Sequence, residues 1–335
     1  MSIQYQSSEI LLAPLGFACS FFVTLLIMPP LISKLKKSGI TGIDVHKLDK
    51  PEVAEMGGIG ILMGLTTSSL VLMLLNTNLI KPLLAFLLSS IIAGIIGAID
   101  DIRPLNAKLK PVLTTLAGIP VLLLGTYNPR PMIPIVGQMR LTIIYPILIP
   151  IAFAVMANAV NMLDVFNGAM PGSCIVALVA LVIISLLLKS NNGLLLSAIL
   201  LGSLIAYWRY NKYPARVFAG DVGSLSVGAA IAAIAIIGQM EFVTVVAFLP
   251  HMTNGFIILV SIGGFLERRQ IKIRPTLLLP NQKLAANPDP RAPLTFVGLI
   301  LASEPLYEYE VVKALIIITG FCGLFAILSA LMLIL

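Results

Sequence analysis

The sequence predicts an all-α polytopic membrane protein with about ten transmembrane helices and its polar loops gathered on one side. Three observations lead there. Of 335 residues, 58% are hydrophobic and 11% charged, and mean hydropathy is +1.02, whereas soluble domains carry roughly 25% charged residues. Apolar runs near the ~20 residues that cross a bilayer recur along the chain. Lys and Arg concentrate in alternate connecting segments, the bias that accompanies correct topology.

The runs lie around residues 10–32, 58–76, 82–99, 109–126, 141–158, 173–188, 193–208, 222–239, 243–262 and 312–335. The first reads as a retained helix with its N-terminus outside, because no Lys or Arg precedes it and Lys34, Lys36 and Lys37 follow. It is also too long for the apolar core of a cleavable signal. Alternation then places segments 33–57, 100–108, 159–172, 209–221 and 263–311 on the cytoplasmic side. These segments and their flanks hold 18 of the 22 Lys and Arg, leaving Lys81, Arg130, Arg140 and Lys189 opposite. Acids follow the same side, with only Glu9 and Glu241 outside. Acidic residues do not obey the topology rule, so their gathering needs a separate cause. The expected organisation is one integral membrane domain over 1–335, with 263–311 as a long cytoplasmic loop or small subdomain between the last two spans.

A net charge of +7 does not imply a nucleic-acid partner here. The basic residues are spread over loops beside spans, where topology and anionic lipid account for them. Cys19, Cys174 and Cys322 sit singly in apolar segments, without metal-ligand spacing, and read as packing residues.

Four polar clusters share the cytoplasmic side. In GAIDDIRPLNAKLKP, Asp100 and Asp101 end an apolar run, facing the negative end of its helix dipole. Like charges there require something positive, and Pro104 allows a new helix to carry Lys110 back toward them. In NAVNMLDVFNG, Asn158, Asn161, Asp164 and Asn167 recur every three residues as a polar wall, and each is costly to bury unpaired in hydrocarbon. In RVFAGDVGSLSVG, Asp221 opens an apolar run, either as an N-cap or as part of a site whose amides favour phosphate. GGFLERRQIKIRPT carries Arg268, Arg269, Lys272 and Arg274, either topology charges or phosphate-binding donors. The later LTFVGLILA is too short to span, so it packs on the membrane surface or in a small subdomain. The first cytoplasmic loop, GIDVHKLDKPEVAEMGGIG, adds Asp44, Lys47 and Glu55. Carboxylates with an Asn are hard oxygen ligands suited to Mg²⁺ or Mn²⁺. Phosphoryl transfer at a membrane surface fits this set, since metal and bases neutralise phosphate charge in the transition state.

The motifs DDIRPLNAKLK, NAVNMLDVFNG and VFAGDVGSL, in this order between apolar spans, closely resemble the polyprenyl-phosphate N-acetylhexosamine-1-phosphate transferase superfamily. The resemblance runs from Gly42 to Thr276. EMGG at Glu55–Gly58 and the NxxDxFNG pattern look more like the dolichyl-phosphate GlcNAc-1-phosphate transferase branch than the bacterial phospho-MurNAc-pentapeptide one. The latter has a His-rich motif, where this chain has only His251, in PHMTNGF.

The resemblance implies that Asn161 and Asp221 hold Mg²⁺ or Mn²⁺, that Asp100 and Asp101 flank the lipid-phosphate acceptor, and that Lys110 contacts phosphate. It implies that Phe218 stacks on uracil with Asn167 beside the base, and that Glu55 and Asp164 belong to the nucleotide side; Asp164 follows the bacterial rather than the eukaryotic pattern. Arg274 matches an arginine on the pyrophosphate or sugar, with Arg268, Arg269 and Lys272 as alternatives in other registers, and Lys47 and His251 join this group. The implied reaction moves GlcNAc-1-phosphate from UDP-GlcNAc to dolichyl or another polyprenyl phosphate, releasing UMP, as in the first membrane step of protein N-glycosylation. Another UDP-HexNAc, or phospho-MurNAc-pentapeptide with undecaprenyl phosphate, is the alternative, and a transporter or flippase the competing class. The resemblance further implies a homodimer, in an archaeal plasma membrane or an endoplasmic reticulum membrane.

Overall fold

A computed structural model describes residues 2–264 and 273–334. Long apolar helices dominate: α1 (Ser2–Lys37), α2 (Gly58–Leu75), α3 (Ile80–Ile102), α6 (Ile144–Leu163), α7 (Ala169–Leu187), α8 (Asn191–Asn211), α9 (Gly220–Ile237) and α13 (Glu308–Ile334). Among the described residues, eight helices are long and apolar enough to cross a membrane. Two of the ten expected runs are interrupted. Residues 241–261 form α10 (Glu241–Ala247) and α11 (Leu249–Ser261), bent by 70°. Pro250 in the first turn of α11 supplies no backbone N–H to continue the helix across the bend.

Residues 109–123 form α4 (Leu109–Thr114), a 3-10 turn over Thr115–Gly118 and α5 (Ile119–Leu123). Pro120 starts α5. Short as it is, this segment links the two faces of the bundle. Lys110 bonds residues at the C-terminal ends of α3 and α6, whereas Asn128 bonds Gln239, just beyond the far end of α9. The expectation of about ten crossings therefore resolves into eight continuous helices, one bent pair and one broken, short segment.

Small residues bring the central helices together. α9 is the most enclosed span and packs against α3 and α6, while α8 packs against α1 and α7. The approach of α3 to α9 depends on Gly97, where a Cβ would lie 2.2 Å from the Asp221 carbonyl oxygen. Without a bulk hydrophobic driving force inside lipid, such close contacts are what hold spans together.

The segments assigned to one side by alternation do share one face. Hairpin β1 (Thr41–Ile43)–β2 (Glu52–Ala54) meets the chain entering α9, where Phe218 N–H donates to the Ala54 carbonyl at 2.8 Å. On the same face, β5 (Thr276–Leu278) pairs with β6 (Leu284–Ala286). With α12 (Phe296–Ile300), capped by the Thr295 side chain, it covers the ends of α6, α7 and α13. Leu284, Val297 and Leu301 pack there on Leu163, Phe166, Val311 and Leu315. LTFVGLILA thus sits in a small folded layer rather than crossing. The opposite face carries β3 (Met132–Ile133) and β4 (Gly137–Gln138).

Candidate active site

Pro104 and the extended Arg103 end α3 at Ile102, and the turn to α4 brings Lys110 back over the acids. Its Nζ donates to Asp100 Oδ2 at 2.9 Å and to Asn161 Oδ1 at 3.1 Å, and pairs with Asp221 Oδ2. Asn161 Nδ2 donates to Asp221 Oδ1 at 2.7 Å and to Ser224 Oγ at 2.8 Å. Because the Ser224 hydroxyl donates to the Gly220 carbonyl, its oxygen is the acceptor for Asn161. The amide oxygen of Asn161 is therefore fixed toward Lys110. Asp100, Asn161 and Asp221 thus present oxygens from three helices to one cation.

Asp101, which the resemblance sets with Asp100 beside the acceptor phosphate, has partners of its own. Its Oδ1 accepts Asp221 N–H at 2.8 Å and its Oδ2 accepts Val222 N–H at 3.0 Å. Successive helical residues are turned by about 100°, so Asp100 faces Lys110 while Asp101 faces the N-terminus of α9. That end is the positive pole of a buried helix, which offsets part of the charge on Asp101, whereas Lys110 pairs directly with Asp100. Asp221 is not the N-cap of α9; Asp101 caps it from α3. Gly220 makes room for this contact: it has φ +67, and a Cβ there would lie 2.6 Å from Asp101 Oδ2. Asp101→Ala is expected to lower stability by about 2–3 kcal/mol through two lost charge-assisted hydrogen bonds, with Asp101→Asn losing less. Thermal unfolding in detergent measures both; equal midpoints for Asp101→Ala and wild type would contradict the cap.

The polar wall also divides. Asn158 bonds Thr114 Oγ1 at 2.9 Å and the Ala154 carbonyl, fastening α4 to α6 away from the centre. Asp164, following α6, makes no side-chain hydrogen bond among the described residues. Burial, then the charges of Asp221 and Asp101, push its carboxyl up to about 7.

A second group lies beside the first. Asp44 pairs with Lys47 and accepts from Asn167 Nδ2 at 3.0 Å. Burial works against its charge, but the Lys47 and Asn167 hydrogen bonds and the Lys47 ammonium prevail and hold it below the usual carboxylate range. Lys47 also stands over the Tyr213 ring, 4.9 Å from its centroid. Glu308, which nothing in the sequence singled out, accepts the Asn167 backbone N–H at 2.7 Å. An acid at the start of a helix is ordinary, so its role has no local signal. Phe218 and Glu55 meet at Gly42, where a Cβ would lie 3.3 Å from the Phe218 ring and 3.2 Å from Glu55 Oε2. Arg274 is exposed on this face, its carbonyl held by Asn287. Arg268, Arg269 and Lys272 lie outside the described residues. His251 does not join the site: it is fully buried, its Nε2 3.0 Å from Ser173 Oγ and its Nδ1 without a partner among the described residues. The bend between α10 and α11 leaves it inside the bundle.

The fit of a divalent cation can be judged from the donors. Among the described residues no three or more His, Cys, Asp or Glu gather as a metal site. Two carboxylates and an amide oxygen converge, however, where Lys110 already holds a positive charge. Mg²⁺ suits such a set, since it binds through one or two carboxylates plus waters and substrate phosphates.

Long apolar spans with this cluster of acids, amides and a lysine at their ends define an integral membrane protein with a polar site at one face. The family model for glycosyl transferase family 4 matches residues 83–239, and the chain belongs to that family. A Saccharolobus solfataricus protein, provisionally named a UDP-N-acetylglucosamine–dolichyl-phosphate N-acetylglucosaminephosphotransferase, is 35% identical over 73% of this chain and 77% of its own length. A provisionally named glycosyltransferase of Methanocaldococcus jannaschii is 31% identical over 87% and 88%. The phospho-N-acetylmuramoyl-pentapeptide-transferase of Moorella thermoacetica is 30% identical over 85% and 95%.

Proposed function

We propose that this chain transfers GlcNAc-1-phosphate from UDP-GlcNAc to dolichyl phosphate or a similar polyprenyl phosphate, giving lipid-diphosphate-GlcNAc and UMP. The convergence of Asp100, Asn161 and Asp221 on Lys110 carries this reading, because hard oxygens beside an ammonium are what neutralising phosphate charge calls for. The substrates follow the name of the Saccharolobus relative. The gathering of titratable groups at helix ends, away from the bilayer midplane, favours a transferase over a transporter.

Asp221, Asn161 and Asp100 would hold Mg²⁺, or Mn²⁺ in its place, which when bound neutralises charge on the donor pyrophosphate. Lys110, on a flexible stem, transfers its ammonium from the carboxylates to a phosphate oxygen. An oxygen of the lipid phosphate attacks the β-phosphorus, the bond from that phosphorus to the bridging oxygen breaks, and UMP leaves with the electron pair. The acceptor monoester has a second pKa near ~6 and is largely dianionic at neutral pH, so Asp100 orients it more than it deprotonates it. Asp101 keeps the N-terminus of α9, and with it Asp221, in place. Phe218 offers a face to uracil, Asn167 an edge and Glu55 a neighbouring carboxylate. Arg274, or in another register Arg268, Arg269 or Lys272, meets the pyrophosphate or sugar. The face is cytoplasmic, on the strength of 18 of 22 Lys and Arg.

The test is a donor screen on the purified chain. UMP release from UDP-GlcNAc that requires both lipid phosphate and Mg²⁺ supports the proposal. Release only from UDP-MurNAc-pentapeptide would move the chain to the activity named for the Moorella relative, and no release from any UDP-sugar would overturn the proposal.

A further inference from the structure

Asn167 is held from two sides by acids that take no direct part in the transfer just described. Its side-chain nitrogen donates to Asp44 Oδ2 at 3.0 Å, and its backbone N–H to Glu308 Oε1 at 2.7 Å. All three residues are almost fully buried. A carboxylate can only accept, so the side chain of Asn167 has one admissible orientation: Nδ2 toward Asp44 and Oδ1 away from it. Among the described residues Asn167 Oδ1 accepts no hydrogen bond, and it is not among the buried atoms sealed without a partner. Asp44 thereby turns an ambivalent amide into a pure acceptor.

An aromatic ring meets the same segment two residues away. Gly42, at the Phe218 ring, and Asp44, at Asn167, are two residues apart on one extended segment whose ladder continues from β1 through Asp44 N–H to the Pro51 carbonyl. Residues i and i+2 of a strand share a face about 7 Å apart, the width of a pyrimidine. A ring to stack on and an acceptor at its edge select a base by the group it offers there. Uracil presents N3–H, a donor; cytosine presents N3 as an acceptor.

We infer that Asp44 and Glu308 are positioning residues that hold Asn167 as a hydrogen-bond acceptor, so that the site selects a uracil over a cytosine nucleotide. The inference rests on the uridine-nucleotide reading of the site. Glu308 contributes from the opposite end of the chain: it begins α13 and pins the turn after α6, while its second oxygen is buried without a partner among the described residues. Asp44 sets the orientation of the amide, and Glu308 its position.

The experiment measures binding of UMP and CMP to the purified full chain by calorimetry, beside turnover of UDP-GlcNAc. Wild type should prefer UMP. Asp44→Asn can donate as well as accept, so it lets the Asn167 amide flip, and the UMP:CMP preference should fall by about tenfold or more. The exchanged pair Asp44→Asn with Asn167→Asp restores a donor facing an acceptor and should recover the preference, which a loss of structure would not do. Glu308→Ala should weaken UMP, with recovery in Glu308→Gln, whose amide oxygen still accepts. An unchanged preference in Asp44→Asn would overturn the inference while leaving the transferase reading intact. A wild type that turns over UDP-GlcNAc yet binds UMP and CMP equally would overturn it at the base-recognition step. A wild type with no turnover would instead fail the proposed function.

Discussion

Asp221→Asn is expected to reduce UMP release by about 10³-fold or more, with little change in thermal stability. The substitution keeps the shape of the side chain but removes the charge that faces both Lys110 and Asn161. A metal ligand that stabilises the transition state by about 4 kcal/mol corresponds to about 10³ in rate. Stability should move little because two effects oppose each other. The ion pair to Lys110 is lost, yet the repulsion between Asp221 and its neighbours Asp101 and Asp164 is lost with it. Turnover and thermal unfolding on the same preparation check this. Retained turnover would remove Asp221 from the reaction.

Lys110→Met is expected to combine both kinds of loss. Its ammonium is largely buried and pairs with Asp100 and Asp221 at once, and removing one partner of a buried ion pair costs about 3–5 kcal/mol. The site reaches solvent, so the lower end applies. Turnover should fall by about 10²–10³-fold, as when one preorganised donor to a developing charge is removed. The vacated oxygens remain, so Mg²⁺ should recover part of the lost thermal stability in Lys110→Met and raise that of wild type less. Equal shifts with Mg²⁺ in the two proteins would mean that the ammonium and the metal do not share these oxygens.

Much of this arrangement was legible in the chain because it rests on local physics. Spans followed from run length and hydropathy, the shared face of the polar loops from alternating those spans, and the return of Lys110 to Asp100 from Pro104. Adjacency misled at Asp100 and Asp101, where the helical turn between neighbours sends one to Lys110 and the other to the α9 N-terminus. The even spacing of Asn158, Asn161, Asp164 and Asn167 suggested one wall, but α6 ends before Asp164, so the four residues meet different partners. Proline alone did not mark the broken spans: Pro150 lies inside the continuous α6, while Pro250 lies at a 70° bend. Glu308 was invisible because its meaning comes from Asn167, 141 residues away.

The central claim is that Asp100, Asn161 and Asp221 form one oxygen cage for a cation, with Lys110 as its resident charge. Mn²⁺ titration of the purified protein, followed by electron paramagnetic resonance in the presence of UDP-GlcNAc, tests it most directly. The account predicts one saturable Mn²⁺ per chain in wild type, its loss in Asp221→Asn and its weakening in Asn161→Ala. Undiminished Mn²⁺ binding in both variants would contradict it.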